Sequence, residues 1–402
     1  MNKIAILQNR IQEYAWGSKT FIPELLGEPS PAETPQAELW MGSHPKAPSQ
    51  AIINGDRISL ADMINRDPKG TLGSSIERKF SNNLPFLFKV LAAARPLSIQ
   101  AHPDKEQAKE GFNGENLKGI DLNAPNRNYR DENHKPELIC ALQQLWALKG
   151  FRRIEDIIKL MDKIGVFTKE LGIDILRNQP NKEGLKRFFI SLMTMERNGR
   201  SLVIEGIIDR LKGSDLSEPA FDWVRRLNQE YPGDIGVLSP LFLNVILLQP
   251  TEGMYIPSGE LHAYLEGSGL ELMANSDNVL RGGLTPKHVD LPELIRVLNF
   301  TPQDPDILRP EGKGKLEAFY SVTAEEFVLS VISLHKEDLI YESPGTRSAE
   351  IMICTEGDAR VKDNDNGDVL KVNSGMSIFI PASVKRYQIQ GEATIYKASV
   401  PL

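Results

Sequence analysis

The chain has 402 residues, of which 41% are hydrophobic and 25% charged, a composition typical of a soluble globular protein with two or three domains. The net charge of −7 and the absence of a basic cluster argue against nucleic-acid binding, since nothing would neutralise phosphates. No apolar run approaches the ~20 residues that span a bilayer, and the N-terminal run IAIL is too short for a secretion signal. We therefore expect a cytoplasmic protein that contacts neither nucleic acid nor membrane.

From Met1 to about Leu148 the sequence consists of short apolar runs broken by Gly, Pro and Asn, which predict strands. One run, LSIQAHPDK, places Gln100 and His102 two residues apart. A strand alternates its faces with a period of two, so both side chains should point the same way. The stretch from SLADMINRD to IERKF is more helical.

The pattern changes after Gly150, where apolar residues recur at helical spacing and predict four amphipathic helices between Phe151 and Tyr231. This block contains no His and no Cys, so we expect it to serve packing or to form a wall beside a site. Strand patterns resume at SPLFLNVILLQP and, after a loop and a helix in NSDNVLRGGLTPKHVDLPELIRVL, continue to the end of the chain. The even spacing of strands and turns predicts jelly rolls or barrels.

The two cysteines, Cys140 and Cys354, each lie in an apolar segment. We expect buried free thiols in a reducing compartment.

Two segments repeat each other, GMYIPSGELHAY and GMSIFIPASVKRY. Aligned on Pro257 and Pro381, each enters a turn and places a polar residue five positions later, His262 in the first copy and Arg386 in the second. The pattern resembles the second sequence motif of the cupin family, whose barrels carry a metal-binding His there. Because the second copy also has Ser383 instead of glycine, we expect one working barrel and one structural barrel without metal.

The first barrel contains further candidate ligands. Gln100 and His102 share a strand face, and Glu137 follows Pro136 at the start of an apolar strand, a position that suits a proline. With His262 they offer two nitrogen and two oxygen donors, a mixture expected for Zn²⁺ with an open position.

Five motifs, YAWGS, AELWMGSHPK, PLSIQAHPDK, NHKPEL and LEGSGLELMANSDNVLRGGLTPKHVD, resemble those of the type I mannose-6-phosphate isomerases. The resemblance implies a mainly β fold with an all-α insertion: two cupin-type jelly-roll barrels and a helical domain. The implied division is a catalytic barrel from residues 1–150 and 236–300, a helical domain at 151–235, and a C-terminal barrel without metal at 301–402.

The resemblance also implies a cytosolic aldose–ketose isomerase that interconverts mannose 6-phosphate and fructose 6-phosphate, with a place in mannose metabolism and GDP-mannose biosynthesis. It implies one zinc ion per chain on Gln100, His102, Glu137 and His262, and an active-site arginine at Arg281.

Isomerisation through a cis-enediol moves a proton between C1 and C2 and develops negative charge on oxygen. A zinc ion with a single carboxylate ligand keeps a net charge of about +1, which explains the neutral Gln100. Arg281 precedes two glycines that permit a close backbone approach, and its guanidinium can hold two oxygens of the enediolate.

The remaining roles have several candidates. The base could be Lys135, His134, Asp277 or Glu271. Ser98 and Lys89 are candidates for the phosphate, and Trp16 could cover the apolar face of the sugar.

Two other classes of function remain open. Two His and one carboxylate also form the facial triad of iron oxygenases, although the added Gln and the Arg-Gly-Gly loop weigh against that class. A non-catalytic sugar-phosphate-binding protein could use the same fold, but the intact ligand set disfavours it. Nothing in the sequence indicates a dimerisation element, so a monomer is the default expectation.

Overall fold

The structure is a computed structural model that describes residues 3–212, 217–312, 316–336 and 338–402. Over these ranges the strands form two ten-stranded sheets. A block of helices interrupts the sequence between two neighbouring strands of one sheet. No helix in the described ranges is long and apolar enough to cross a membrane. The predicted class, mainly β with a helical insertion, is confirmed.

The elements before residue 152 are β1 (Ala5–Gln8), β2 (Arg10–Gln12), α1 (Phe21–Leu26), β3 (Glu38–Met41), β4 (Gln50–Ile53), β5 (Asp56–Ser59), α2 (Leu60–Arg66), α3 (Pro68–Leu72), α4 (Ser74–Lys79), β6 (Phe86–Ala93), β7 (Ile99–Ala101), α5 (Lys105–Leu117), β8 (Glu137–Ala141) and β9 (Leu145–Phe151). The middle of the chain contains α6 (Ile154–Ile164), α7 (Ile173–Asn178), α8 (Lys182–Met193), α9 (Arg197–Lys212), α10 (Pro219–Glu230), α11 (Ser239–Phe242), β10 (Leu243–Leu248), β11 (Gly253–Ile256), β12 (His262–Ala274), β13 (Leu280–Gly283) and α12 (Leu291–Val297). The C-terminal strands are β14 (Glu317–Tyr320), β15 (Val328–Leu334), β16 (Ile340–Glu342), β17 (Glu350–Asp363), β18 (Val369–Asn373), β19 (Ser377–Ile380) and β20 (Tyr387–Ser399).

The two sheets share the N-terminal segment. One sheet follows the order β10-β9-β12-β6-β3-β2, with β7 and β8 pairing with β12, β13 with β7, and β11 with β8. The other sheet follows β14-β15-β20-β17-β19 and continues through β1 to β4 and β5, because β1 pairs antiparallel with β19. The proposed assignment of segments to domains stays a prediction.

Alternation along the strands separates an interior face from a packing face. In β6, Phe86 and Phe88 belong to an apolar cluster that also contains Phe327 and Ile353 of the C-terminal region. Burying such a side chain contributes roughly 1.5–3 kcal/mol, so this common core joins the two sheets. The cysteines are free and buried, as predicted.

Strand β12 runs through the first sheet, pairing with β9 near its start and with β6 over the rest. Its register shifts just after Tyr264. Leu265 packs against the helical block, whereas Leu270, further along, packs against the C-terminal sheet. His262 at the start of the strand and Glu271 near its end both face the barrel interior, where they line one cavity.

Helices α6 to α10 are the helices that the described residues form between positions 154 and 230, one more than the four predicted. The four predicted helices are α6, α8, α9 and α10. In α8, for example, the side chain of Asn181 accepts the N–H groups of Glu183 and Gly184, which caps the helix start. The additional α7 has six residues, too few to give a helical periodicity in the sequence.

A network of buried charged side chains lies inside the C-terminal barrel. Nζ of Lys397 lies 2.6 Å from Oε1 of Glu317 and 3.6 Å from Oε1 of Glu350. Arg347 approaches Oε2 of Glu350 to 3.2 Å, and the hydroxyl of Tyr341 donates to Glu317 at 2.7 Å. Two cations and two carboxylates balance, so the charges of these groups cancel inside the barrel.

The structure corrects the predicted correspondence between His262 and Arg386. Arg386 is exposed and precedes β20, whereas Tyr387, the first residue of β20, is buried. The connection from Pro381 to β20 is one residue longer than that from Pro257 to β12, which displaces the alignment. The absence of metal from this barrel stays a prediction.

Candidate metal centre and surrounding site

Three neighbouring strands bring predicted site residues together. His262 of β12 stands opposite Gln100 of β7, which stands opposite Arg281 of β13 on its other side. Residues directly opposite each other share a face of the sheet, and neighbouring strands are about 4.8 Å apart. The three side chains therefore leave the same face of the sheet in one row.

His102, Glu137 and His262 form a close buried cluster. Nε2 of His102 lies 3.3 Å from Oε1 of Glu137, and Nε2 of His262 lies 3.2 Å from Oε2 of the same carboxylate. The three residues are between 1% and 3% exposed. Among the residues that the structure describes, they are the group of His, Cys, Asp or Glu side chains close enough to hold a metal ion.

The tautomers of both histidines follow from their outer hydrogen bonds. Nδ1 of His102 lies 2.8 Å from the carbonyl oxygen of Asn278, and Nδ1 of His262 lies 3.1 Å from that of Glu260. A carbonyl oxygen only accepts, so each Nδ1 carries the proton and each Nε2 offers a lone pair. With both rings neutral, the form that binds metal, both lone pairs face the carboxylate of Glu137.

This arrangement fits a cation at the centre of the cluster. Nε2 of His102 is buried without a hydrogen-bond partner in the described structure, and facing lone pairs repel unless a positive charge joins them. The N–O separations of 3.2 and 3.3 Å match the edge of about 3.3 Å of a tetrahedron whose donors lie ~2.0–2.1 Å from Zn²⁺. The residues present therefore suit zinc.

The protonation of the cluster agrees with this fit. Burial lowers the pKa of His102 to about 4, and the charge of Lys135 acts in the same direction. Burial would raise the pKa of Glu137, but the charge of Lys135 and the contacts with His102 and His262 together hold that pKa well below its ordinary value. Near neutral pH the imidazole is neutral and the carboxyl is ionised, the forms that bind metal.

Gln100 can present its oxygen to the same centre. Its amide nitrogen donates to Oγ of Ser98 at 3.2 Å. Oε1 is therefore the atom that remains available as a fourth donor. Ser98 lines the cavity beside the cluster, and its bond to the amide nitrogen orients Gln100. Its role as a substrate-binding residue stays a prediction.

Lys89 lies between two buried carboxylates. Its Nζ is 2.7 Å from Oε2 of Glu271 and 3.9 Å from Oε1 of Glu38. Burial raises the pKa of Glu271, and the charge of Lys89 partly offsets that rise. Sequence reasoning missed Glu38, although its alternation with the buried Leu39 on β3 could have indicated that it faces the interior.

The adjacent candidates Lys135 and His134 point to different neighbours. Nζ of Lys135 lies 2.8 Å from Oε1 of Glu137, beside the cluster. Nε2 of His134 lies 2.7 Å from Oε1 of Glu326, in the segment between β14 and β15. The structure thus brings Lys135 to the centre and engages His134 elsewhere.

Asp277 lines a neighbouring cavity of about 470 Å³. Its Oδ2 lies 2.8 Å from Nζ of Lys46 and 3.7 Å from Nε2 of His44. Burial would raise the pKa of Asp277, but the hydrogen bond and charge of Lys46 bring it below its ordinary value. Asp277 is therefore an ionised and already paired carboxylate.

Arg281 belongs to a group of cations that sequence reasoning did not assemble. Burial lowers the pKa of Arg281, and the positive charge of Arg130 lowers it further. Burial and then the charges of Arg281 and Arg130 likewise lower the pKa of Lys287. Among the described residues none of these three cations is paired with a carboxylate. The group would favour a dianion.

The cavity next to the cluster has a volume of about 60 Å³. Its lining includes Glu38, Lys89, Ser98, Gln100, Lys135, Glu137, His262, Tyr264 and Glu271. Trp16 does not line it; its ring stacks on Tyr14 at 5.7 Å and packs against an apolar cluster that includes Leu91 and Tyr264, two residues that do line the cavity. Tyr264, two residues beyond His262 on the same face, was also missed.

These features define a cupin-type protein with two barrels, a helical insertion and a candidate metal site in one barrel. Models of the type I phosphomannose isomerase catalytic domain and helical insertion domain match residues 4–154 and 164–243. A model of the mannose-6-phosphate isomerase cupin domain matches residues 318–400.

Whole-chain relatives point the same way. The mannose-6-phosphate isomerase of Salmonella typhimurium is 42% identical over 378 residues, 94% of each chain, and that of Homo sapiens is 32% identical over 401 residues, 93% of this chain and 92% of the relative. The chain belongs to the type I phosphomannose isomerase family, as its motifs predicted.

Solved structures of this family have the same fold. A single-residue variant of phosphomannose isomerase from Salmonella typhimurium superimposes with a TM-score of 0.93 at 38% identity, over 99% of this chain and 100% of the other. A zinc-bound mannose 6-phosphate isomerase superimposes with a TM-score of 0.92 at 38% identity over the same shares.

Proposed function

We propose that this chain interconverts D-mannose 6-phosphate and D-fructose 6-phosphate at a site that holds one zinc ion. The observation that carries the proposal is the buried cluster in which Nε2 of His102 and Nε2 of His262 both lie within 3.3 Å of the carboxylate of Glu137 while each Nδ1 contacts a backbone carbonyl oxygen. The curated relatives that cover almost the whole chain bear this activity in their names. Gln100 is the fourth proposed ligand.

Zinc on one carboxylate and three neutral donors would supply a net charge of about +1 beside substrate oxygens that become negative. Residues of the chain supply the remaining functions. The reaction requires a base that moves a proton between C1 and C2 through a cis-enediol, and a group that stabilises the enediolate. Arg281, in a row with Gln100 and His262, is the proposed stabilising group.

Lys135 and Glu271 are the two candidate bases that lie at the cavity. The other two, His134 and Asp277, do not line it and contact Glu326 and Lys46 instead. Variants Lys135→Met and Glu271→Gln, assayed with substrate deuterated at C2, would distinguish them. The residue whose loss abolishes deuterium exchange with water while substrate still binds is the base.

The phosphate is proposed to lie outside the inner cavity. The cavity's volume of about 60 Å³ is well below the roughly 300–1,000 Å³ of pockets that enclose a whole small molecule, so we place only the reacting end of an open-chain sugar there. Lys89 is already neutralised by Glu271 and Glu38. The unpaired Arg130 and Lys287, next to Arg281, are better suited to a dianion than the predicted Lys89 and Ser98.

The test is a coupled assay on mannose 6-phosphate with metal analysis of the same sample. Chelation should abolish turnover, and added Zn²⁺ should restore it in the unaltered chain but not in Glu137→Gln. Full activity in demonstrably metal-free protein would refute the zinc requirement. A zinc-loaded protein without isomerase activity would refute the function.

A further inference from the structure

Asn278 lies in the connection between β12 and β13 and is fully buried. It packs against the segment from Arg130 to Asn133, which leads into the candidate ligand Glu137. Its side-chain oxygen accepts hydrogen bonds and its side-chain nitrogen donates them.

The side chain of Asn278 holds the backbone of the neighbouring segment. Its Oδ1 accepts the N–H of Arg130 at 2.6 Å and that of Asp131 at 3.2 Å. Its Nδ2 donates to the carbonyl oxygens of Asp131 and Asn133, both at 2.8 Å. Nδ2 also lies 3.2 Å from Oδ1 of Asp131.

The carboxylate of Asp131 also joins the two segments, because it accepts hydrogen bonds from the connection that contains Asn278. It accepts the hydroxyl of Ser276 at 2.8 Å and the N–H of Asp277 at 2.7 Å. The two segments are therefore joined in both directions, by an amide from one and a carboxylate from the other.

The backbone of Asn278 reaches the metal centre. Its carbonyl oxygen accepts Nδ1–H of His102 at 2.8 Å, which leaves Nε2 of that ring for the ion. One residue thus orients a candidate ligand with its main chain and, with its side chain, holds the segment that carries the cation Arg130.

We propose that Asn278 is a positioning residue that couples the orientation of the metal ligand His102 to that of the phosphate-binding cation Arg130. Groups that hydrogen-bond to ligating histidines change metal affinity by about 10–100-fold when they are lost. Loss of the amide should displace the carbonyl that holds His102 and the backbone that holds Arg130 at the same time. The role toward Arg130 rests on the proposed function, whereas the role toward His102 does not.

The test compares Asn278→Ala with Asn275→Ala in the full chain. Asn275 lies in the same connection, and its side-chain amide donates to the carbonyl of Leu84 at 2.6 Å. Its contact with Asn133 uses its backbone carbonyl, which alanine keeps. Zinc affinity is measured by competition with a chromogenic chelator, and kcat and KM are measured at saturating zinc. We expect Asn278→Ala to weaken zinc binding about 10–100-fold and to raise KM about tenfold, and Asn275→Ala to change neither appreciably.

Asn278→Ser guards against a variant that does not fold. It keeps one uncharged hydroxyl that can donate or accept toward the backbone from Arg130 to Asn133 but loses the remaining bonds of the amide, so its zinc affinity and KM should lie between those of the unaltered chain and Asn278→Ala. Folded Asn278 variants with unchanged zinc affinity would overturn the inference, and if the alanine variant does not fold, the serine variant decides. If the unaltered chain binds zinc but lacks isomerase activity, the proposed function fails, and zinc affinity alone decides the role toward His102.

Discussion

The Nε2 atoms of His102 and His262 are available because a carbonyl oxygen holds the proton on the opposite nitrogen of each ring. An imidazole is a stronger zinc ligand than an amide oxygen. We therefore expect His262→Ala to weaken zinc binding more than Gln100→Ala, measured by chelator competition on folded protein. His288→Ala, which removes an exposed histidine, is the matched control and should bind zinc normally. A greater loss in Gln100→Ala would contradict this ranking of the ligands.

Arg281 is proposed to bind charge that develops only in the enediolate, so it should act mainly on the transition state. Arg281→Lys keeps the positive charge but loses the two-pronged geometry. Turnover should then fall by ~10²–10³-fold while KM changes much less and zinc stays bound. Lys287→Met is the companion variant, for which we expect the opposite pattern, a raised KM with turnover retained. If Arg281→Lys raises KM steeply and keeps turnover, Arg281 binds the phosphate instead.

At the scale of single residues, spacing was informative where neighbours lie on one strand. The separation of Gln100 and His102 predicted a shared direction, and both residues lie beside Glu137 and His262 in the structure. Spacing could not reveal that Lys89 is paired with Glu38 and Glu271, because the three residues come from strands far apart in the sequence.

At the scale of elements, the interior of the C-terminal barrel depends on one lysine. Lys397 on β20 contacts both Glu317 and Glu350 in a buried site. Lys397→Met would leave two buried carboxylates facing each other with only Arg347 to compensate. We expect this variant to lower the free energy of unfolding by about 3–5 kcal/mol, measured by urea denaturation, without loss of zinc. A change within 0.5 kcal/mol of zero would mean that the network is not stabilising.

Arg386→Ala is expected to leave turnover nearly unchanged. The side chain is exposed just before β20 and lies in a different barrel from the candidate metal centre. Steady-state kinetics on folded protein provide the check. A loss of ~100-fold, equivalent to about 2.7 kcal/mol of transition-state stabilisation, would mean that the C-terminal barrel takes part in catalysis.

The existence of most elements could be predicted, but details of their ends could not. Period and turn residues indicated the strands and the long helices, whereas α7 is too short to give a periodic signal. The wrong pairing of His262 with Arg386 also arose from a detail at the end of an element. A single extra residue in the turn after Pro381 exposes Arg386 and buries Tyr387, and a repeat in the sequence does not reveal such an insertion.

At the scale of the whole molecule, the candidate metal centre joins distant parts of the chain, since its closest donors are His102, Glu137 and His262. An ion that binds the folded chain and not the unfolded chain stabilises it by about 2.7 kcal/mol at one hundred times its dissociation constant. We expect Zn²⁺ to raise the midpoint of thermal unfolding, and Glu137→Gln to remove most of that gain. An equal gain in both proteins would place the stabilising zinc elsewhere.

The general architecture could be inferred from the sequence, but the sharing of strands between sheets could not. Strands β1, β4 and β5 come from the first 59 residues, yet they extend the C-terminal sheet through the pairing of β1 with β19. Such pairing joins residues separated by almost the whole chain. Local alternation specifies that a segment is a strand, but tertiary packing selects its partner.

The register shift in β12 determines which side chains of this strand face the barrel interior. His262 and Glu271 are nine positions apart, an odd number that would send them to opposite faces of a regular strand. The irregularity after Tyr264 reverses the alternation of side chains along the rest of the strand, so both His262 and Glu271 face the barrel interior. Deleting one residue there would straighten the strand and turn either the metal ligand or the partner of Lys89 outward. The number of residues between His262 and Glu271, more than the identity of the apolar residues there, therefore decides whether both side chains can face the same site.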